Sequence, residues 1–162
     1  MPYALQSMLR IRAMREDRAS AELSAARQEV RKAADELEEQ KKVLREYEAT
    51  KEERRDRIYD SVIGRPVSRE DLDRALEGVS RIDEEGVLKA DNVTMAQSVL
   101  KQKKEQADQA RAVFVKATKE RMKISEHKAI WMEAELKEEE HRQEVELEDF
   151  TGKKNTENNN GN

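Results

Sequence analysis

Two histidines, His127 and His141, are the residues of this sequence that could bind a transition metal or transfer a proton near neutral pH. Glu138 and His141 form a Glu-x-x-His pair, a spacing that helical di-iron bundles use twice, together with further inward-facing glutamates. The sequence has no second such pair, and on one helix His127 and His141 would lie about 20 Å apart, too far to share a metal ion. The pattern favours solvated helix faces over a metal site.

Other local motifs also fail to specify a reaction. Gly152-Lys153 lacks the first glycine and the preceding strand of a phosphate-binding loop, and Asn92-Val93-Thr94, which matches a glycosylation sequon, falls within a predicted helix. No grouping of serine, histidine and carboxylate indicates nucleophilic catalysis, and the chain has no cysteine. We therefore expect no enzyme, no cofactor and no metal, so that function depends on what the chain binds.

The composition is typical of long helices and not of a globular domain. Charged residues make up 42% of the 162 positions and aromatic residues only 4%, with five glycines and two prolines. Such a chain can bury its apolar residues along a narrow coiled-coil seam. The absence of cysteine, of an apolar leader and of any stretch of roughly 18 apolar residues predicts a cytoplasmic protein without membrane insertion.

The charge balance excludes a broad nucleic-acid footprint but has one local exception. The 32 basic and 36 acidic residues are finely mixed and give a net charge of -4, so we expect no nucleic-acid partner. Between Glu133 and Asp149, however, acidic residues strongly outnumber the basic residues Lys137 and Arg142. This run either attracts a basic partner surface or forms a solvated helix face, and the sequence leaves both interpretations open.

Two heptad seams organise the chain. Apolar residues recur in alternating steps of four and three from Leu5 to Ile58, and again from Leu72 to Trp131. The first seam predicts a helix over about 3–60 and the second a helix over about 69–150. Gly64 and Pro66 predict a turn over about 61–68, and Ser68 with Asp71 resembles a helix N-cap.

The predicted fold class is all-α, an antiparallel two-helix coiled-coil hairpin with a longer second helix and a disordered C-terminal tail. The hairpin forms a single domain over 1–150, and the polar residues 151–162 form the tail. Folding the chain about Arg65 places Tyr47 opposite Ile82 and Leu5 opposite Ile124, with matched layers. A parallel homodimer is the alternative that the same seams allow.

Beyond about residue 124 the second helix is predicted to project without an intrachain partner. Large apolar residues without a partner often mark an interaction surface. The alternative is that Trp131 caps the end of the coiled coil. The apolar residues of the projecting segment are Trp131, Met132, Leu136, Val145, Leu147 and Phe150.

Two stretches carry a family resemblance. The first is Leu5-x-x-x-Leu9-x-Ile11-Arg12-x-x-Arg15-x-x-Arg18-Ala19, and the second is His127-Lys128-x-x-Trp131-Met132-x-x-x-Leu136-Lys137-Glu138-Glu139, followed by the acidic run. With the hairpin plan, they resemble the FliJ/YscO (SctO) family, the central-stalk proteins of bacterial type III secretion and flagellar export. The tryptophan-containing stretch is similar to the injectisome members, which favours that branch.

The resemblance implies a stalk similar to the gamma subunit of rotary ATPases, located at the cytoplasmic face of the secretion apparatus. It implies that the paired termini enter a hexameric type III secretion ATPase, that the turn reaches the cytoplasmic domain of an export-gate membrane protein, and that export chaperones are further partners. The alternative is a generic cytoplasmic coiled-coil scaffold or helical chaperone. The ATPase-facing candidates are Leu9, Arg12, Arg15, Arg18, His127, Trp131, Met132 and Leu136. The gate-facing candidates are Tyr47, Ile58, Tyr59, Val62, Ile63, Val67 and Leu76.

Overall fold

The structure is a computed structural model that describes the backbone of residues 2–159 and the side chains of residues 2–153. The described residues form two α-helices, α1 at Gln6–Asp60 and α2 at Arg69–Asn159. The helices pack against each other as a hairpin in which the second helix is the longer. The predicted all-α hairpin is therefore confirmed.

The end of α2 differs from the predicted end near residue 150. The helix continues to Asn159, and the Thr151 hydroxyl donates hydrogen bonds to the carbonyl oxygens of Leu147 and Glu148 at 2.9 and 3.0 Å. Polar residues without proline do not interrupt the backbone hydrogen bonds of a helix. Within the tail predicted at 151–162, residues 160–162 lie outside the described residues, and only the backbone of 154–159 is described.

The turn between the helices is defined by a glycine and a serine. Gly64 has a φ of 72°, a left-handed conformation that glycine adopts without a steric penalty. Just before it, the Ile63 amide donates to the Tyr59 carbonyl at 2.9 Å and closes the end of α1. The Ser68 hydroxyl accepts a hydrogen bond from the Asp71 amide at 3.1 Å, so Ser68 is the N-cap of α2.

The packing divides into two compact units. The terminal unit holds the described residues of Met1–Ser20 and Val113–Asn162, and the turn unit is Ala21–Ala112. Each unit contains a segment of α1 packed against a segment of α2. The interpretation of residues 1–150 as a single domain stays a prediction.

The turn unit has an apolar seam. The Tyr47 ring lies so close to Gly86 that a β-carbon there would be 3.1 Å from the ring, and the Tyr47 hydroxyl donates to the Ile82 carbonyl oxygen. Gly86 therefore makes room for an aromatic residue within the seam. The buried residues, all on the predicted heptad steps, are Leu23, Ala33, Leu37, Tyr47, Val79, Ile82 and Ala96.

The terminal unit has a more polar seam. Its buried apolar residues are Tyr3 and Ala19. Arg12 pairs with Glu120, and Glu16 pairs with Arg121 across the two helices. Charged residues thus occupy seam positions, where opposite charges facing each other offset part of the cost of removing them from water.

Candidate interaction surfaces

Trp131 is held by the segment that precedes α1. Its ring centroid lies 5.3 Å from that of Tyr3, at an interplanar angle of 44°. Tyr3 is only 7% exposed, and its hydroxyl is hydrogen-bonded to Nδ1 of His127 at 2.7 Å. The prediction that Trp131 has no intrachain partner is wrong, and the alternative, in which Trp131 caps the paired helices, describes the structure.

Two further bonds hold this segment in place. The Gln6 amide donates to the Tyr3 carbonyl at 3.1 Å, and the Lys128 ammonium donates to the Gln6 side-chain oxygen at 2.9 Å. Sequence reasoning missed Tyr3 because it precedes the first seam residue, Leu5. One signal was present in the sequence: Tyr3 is aromatic, and folding the chain about Arg65 places it opposite His127.

The basic candidates of α1 fall into two groups. Arg12 is half-buried and pairs with Glu120, and Leu9 is a half-buried seam residue, so both contribute to the hairpin itself. Arg15 and Arg18 are exposed. Unlike Arg12, these two residues therefore lie on the surface of the terminal unit.

The second helix exposes apolar side chains directly after Trp131. Met132 is 50% exposed and Leu136 is 63% exposed. Around them, Lys137 pairs with Glu133 at 2.7 Å, and Arg142 lies 3.9 Å from Glu138, as the i,i+4 spacing of the sequence predicts. Met132 and Leu136 are the most accessible large apolar residues among the ATPase-facing candidates.

The gate-facing candidates of the turn unit differ widely in exposure. Ile63, Val67 and Leu76 are exposed, and Ile63 is the most exposed at 68%. Tyr47 is buried in the seam, where it contributes to packing and not to an outer surface. The half-buried candidates are Ile58, Tyr59 and Val62.

An open groove of about 470 Å³ lies beside the turn. Ile58, Val62, Val67 and Ala75 supply its apolar lining, and Asp71 and Arg74 supply charge. Leu72, predicted as the first seam residue of helix 2, is instead exposed. Ile58 packs near Gly78, and the Ile58 Cδ1 atom lies 3.2 Å from the position that a β-carbon on Gly78 would take. The groove and Leu72 extend the apolar surface that Ile63 and Val67 begin.

Arg55 ties the end of α1 to α2. A side-chain hydrogen bond with Tyr59, and then the charge of Asp83, raise the pKa of the Arg55 guanidinium above its ordinary value. Asp83 also pairs with Lys51 at 3.3 Å. This cluster explains why Tyr59 is half-buried, since its side chain faces Arg55.

Within residues 2–153, no group of three or more histidine or acidic side chains could hold a metal ion. In the same part of the chain, neither helix has a stretch long and apolar enough to cross a membrane. In each of the two units, the described residues combine exposed apolar side chains with charged ones. These features define a coiled-coil protein whose surfaces are suited to binding other proteins.

The family comparison identifies the class of system in which this coiled coil works. The chain matches the family described as type III secretion protein YscO over residues 5–153. It therefore belongs to the YscO family of type III secretion proteins. No curated protein and no solved structure matches the chain.

Proposed function

We propose that this protein is the central stalk of a type III secretion system, a non-catalytic part that inserts its terminal unit into the hexameric secretion ATPase. The family match over residues 5–153 is the observation that carries the proposal. The exposed Met132 and Leu136 support it, because they lie beside Trp131, which packs against Tyr3, and exposed apolar residues next to packed aromatic residues are suited to anchoring a partner. Its site of action is the cytoplasmic face of the secretion apparatus.

The mechanism follows from differential contact. A helical stalk within a ring touches its subunits unequally, so it favours different conformations in different subunits. Arg15 offers charge to acidic surfaces of the ring, whereas Met132 and Leu136 offer apolar anchors. The stalk performs no chemistry in this account and changes the ATPase cycle only through binding free energy.

The turn unit is the proposed contact for the cytoplasmic domain of the export gate. Ile63, Val67 and Leu76 are exposed, and the groove beside them can receive an apolar side chain of the gate. Export chaperones are proposed as further partners on the family resemblance alone. No residue of the chain is assigned to them.

The ATPase contact is tested with purified chain and purified secretion ATPase from the same system. The double variant Met132→Ala/Leu136→Ala removes the proposed anchors but leaves Tyr3 and Trp131 in place. We expect binding to weaken by about 2 kcal/mol or more, and stimulation of ATP hydrolysis to fall in parallel. Circular dichroism should show unchanged helix content.

The matched control is Val87→Ala/Leu88→Ala, which truncates two equally exposed apolar residues of the turn unit. It should bind the ATPase as the unchanged chain does. Equal binding by both double variants, or no binding by the unchanged chain, would contradict the proposed contact.

A further inference from the structure

The α2 helix of the turn unit carries a second row of apolar residues outside the seam. Leu88, Met95 and Val99 follow one another in steps of seven and four, so they lie on one side of the helix. Their exposed fractions are 62%, 66% and 45%, whereas Ile82 and Ala96 of the same helix are buried in the seam. A helix that packs on one neighbour needs one apolar stripe, so the second stripe indicates a further contact.

Polar residues continue this row in both directions, in steps of three or four. On the N-terminal side they are charged, and on the C-terminal side they are amides. All of them are exposed. The two ends of the row therefore differ in chemistry. We call the whole row the lateral face, and its residues are Arg81, Glu84, Leu88, Met95, Val99, Gln102 and Gln106.

The lateral face is complementary to itself when two copies of it run antiparallel. In a two-fold antiparallel pair of helices, a residue meets one that has the same angular position on its helix and lies equally far on the other side of the axis. Residues 11, 18 or 25 positions apart are separated by about three, five or seven whole turns, so they share an angular position. The pairs with these spacings are Leu88 with Val99, Glu84 with Gln102, and Arg81 with Gln106.

We propose that the lateral face binds a second copy of this chain, in a two-fold pair of antiparallel α2 helices. Leu88 of each copy then packs on Val99 of the other. The two-fold axis lies level with the midpoint between these residues, about 8 Å along the helix from either one. Met95 lies about 2 Å from the level of the axis, so the two methionines of the pair meet. Water is thereby excluded from all three apolar residues of each copy.

The polar ends of the face meet in the same register. Arg81 and Gln106 each lie about 19 Å from the axis, so the guanidinium of one copy donates to the amide oxygen of the other. Glu84 lies about 14 Å before the axis and Gln102 about 13 Å after it, so the amide donates to the carboxylate. Glu84 already accepts a hydrogen bond from Ser80 at 3.3 Å, but a carboxylate accepts several.

One ion pair beside the face fits the same arrangement. Glu85 and Lys103 are also 18 positions apart, and both reach toward α1, where Glu85 lies 3.4 Å from Arg54 and Lys103 lies 3.9 Å from Glu29. Residues on the same flank meet in a two-fold pair, so Glu85 of one copy faces Lys103 of the other. With their contacts within the chain in place, the two side chains are still 45% and 31% exposed. The added ion pair contributes to register more than to affinity.

The lateral face is separate from the surfaces proposed to meet the ATPase and the export gate. None of its residues belongs to either set of candidates, and all of them lie in the turn unit. Three apolar residues in each copy form a small interface, which is typical of transient association. The pairing therefore does not depend on the proposed function, and we expect a reversible dimer that forms as the concentration rises.

Self-association is measured by sedimentation equilibrium of the purified chain over a concentration series. We expect a monomer–dimer equilibrium. Leu88→Glu places a charge in the apolar centre of the interface, so the dissociation constant should rise roughly tenfold or more. Circular dichroism should show unchanged helix content, because Leu88 is exposed in the single chain.

The matched control is Val87→Glu. Val87 is also 62% exposed, and the substitution adds the same charge one position earlier, about 100° around the helix from Leu88. This variant should dimerise as the unchanged chain does. Its comparison with Leu88→Glu separates the lateral face from a general effect of net charge.

Crosslinking tests the antiparallel register, and the chain has no cysteine that could interfere. Leu88→Cys and Val99→Cys are purified separately and then mixed with a short thiol-specific crosslinker. The mixture should give dimers crosslinked between positions 88 and 99. Either variant alone should crosslink far less, because its two cysteines would lie about 16 Å apart along the paired helices.

Three results would overturn the pairing: a chain that stays monomeric at every concentration, equal weakening by Leu88→Glu and Val87→Glu, or a mixture that crosslinks no more than either cysteine variant alone. A monomeric chain would assign the lateral face to a different protein. The experiments contain neither ATPase nor export gate, so their failure leaves the proposed stalk function untouched. Failure of ATPase binding by the unchanged chain would likewise leave this pairing intact.

Discussion

The turn unit and the terminal unit use the same two helices but different seams. In the turn unit, Leu37, Tyr47 and Ile82 are buried, and apolar packing dominates. In the terminal unit, Arg12 and Glu16 occupy seam positions and pair with charged residues of α2. Burial of apolar side chains contributes more to stability than ion pairs between the helices do, so the turn unit should be the more stable of the two.

The two units also differ in how they use their apolar residues: the turn unit buries a row of them in its seam, whereas the terminal unit exposes several of them. Exposed apolar residues with charge around them lie next to the polar seam, at Met8, Ile11, Met132 and Leu136. Regions that bind partners often have low local stability, because part of their apolar surface is kept for the partner. The comparison therefore predicts large global effects for seam substitutions in the turn unit and local effects in the terminal unit.

Tyr47→Ala should have the largest effect on the free energy of unfolding. The substitution leaves a cavity against Gly86 and removes the hydrogen bond to the Ile82 carbonyl, at a cost of about 3 kcal/mol. Urea denaturation followed by circular dichroism measures the loss. Tyr47→Phe, which keeps the ring, should cost only about 1 kcal/mol. Equal losses for both would show that packing at Gly86 contributes little.

Gly86→Val should be the next most damaging change. Its side chain would meet the Tyr47 ring, since a β-carbon alone already comes within 3.1 Å, and overpacking typically costs about 1–3 kcal/mol. Thermal denaturation detects this as a lower melting temperature. Gly152→Val is the control, because nothing lies within 4 Å of a β-carbon there. A stabilised Gly86→Val variant would exclude the close packing of Tyr47.

Ser68→Ala should have a smaller effect. It removes the oxygen that accepts the Asp71 amide and caps α2, a loss of about 1 kcal/mol. Hydrogen exchange should increase in the first turn of α2. Ser80→Ala, within the same helix, serves as the comparison and should leave that turn unchanged. If Ser68→Ala leaves exchange unaltered as well, the cap does not hold the start of α2.

Tyr3→Ala should change global stability least and local structure most clearly. Trp131 is the single tryptophan, so fluorescence excited selectively at tryptophan reports on the terminal unit alone. Loss of the Tyr3 ring exposes Trp131 to water and should shift its emission to longer wavelength. The free energy of unfolding measured in urea should change by less than about 1 kcal/mol. Tyr59→Ala is the control and should not shift the emission. An unshifted emission spectrum for Tyr3→Ala would contradict the packing of Tyr3 against Trp131.

The heptad spacing and the turn residues account for what sequence could predict. Gly64 and Ser68 mark the turn through local chemistry, and the seams carry the buried residues of the turn unit because a coiled coil repeats its contacts every seven residues. The same logic linked Tyr47 with Ile82. Local signals and a repeating pattern were sufficient for these features.

Contacts outside the repeat could not be predicted in the same way. Tyr3 precedes α1, and its long side chain reaches both His127 and Trp131, about one helical turn apart. Nothing in a seam specifies how far such a side chain reaches. Likewise, Leu72 continues the heptad pattern but is exposed. Near the turn, the two helices are joined by the packing of Ile58 near Gly78 and by the interaction of Arg55 with Asp83.

The central claim is that the terminal unit meets the ATPase and the turn unit meets the export gate. The most direct test is photocrosslinking in cells with an active secretion system, with a photoreactive residue at Met132 or at Ile63. Our account predicts that position 132 crosslinks to the secretion ATPase and position 63 to the export gate. Crosslinks from both positions to the same protein, or to neither partner while secretion continues, would contradict the account.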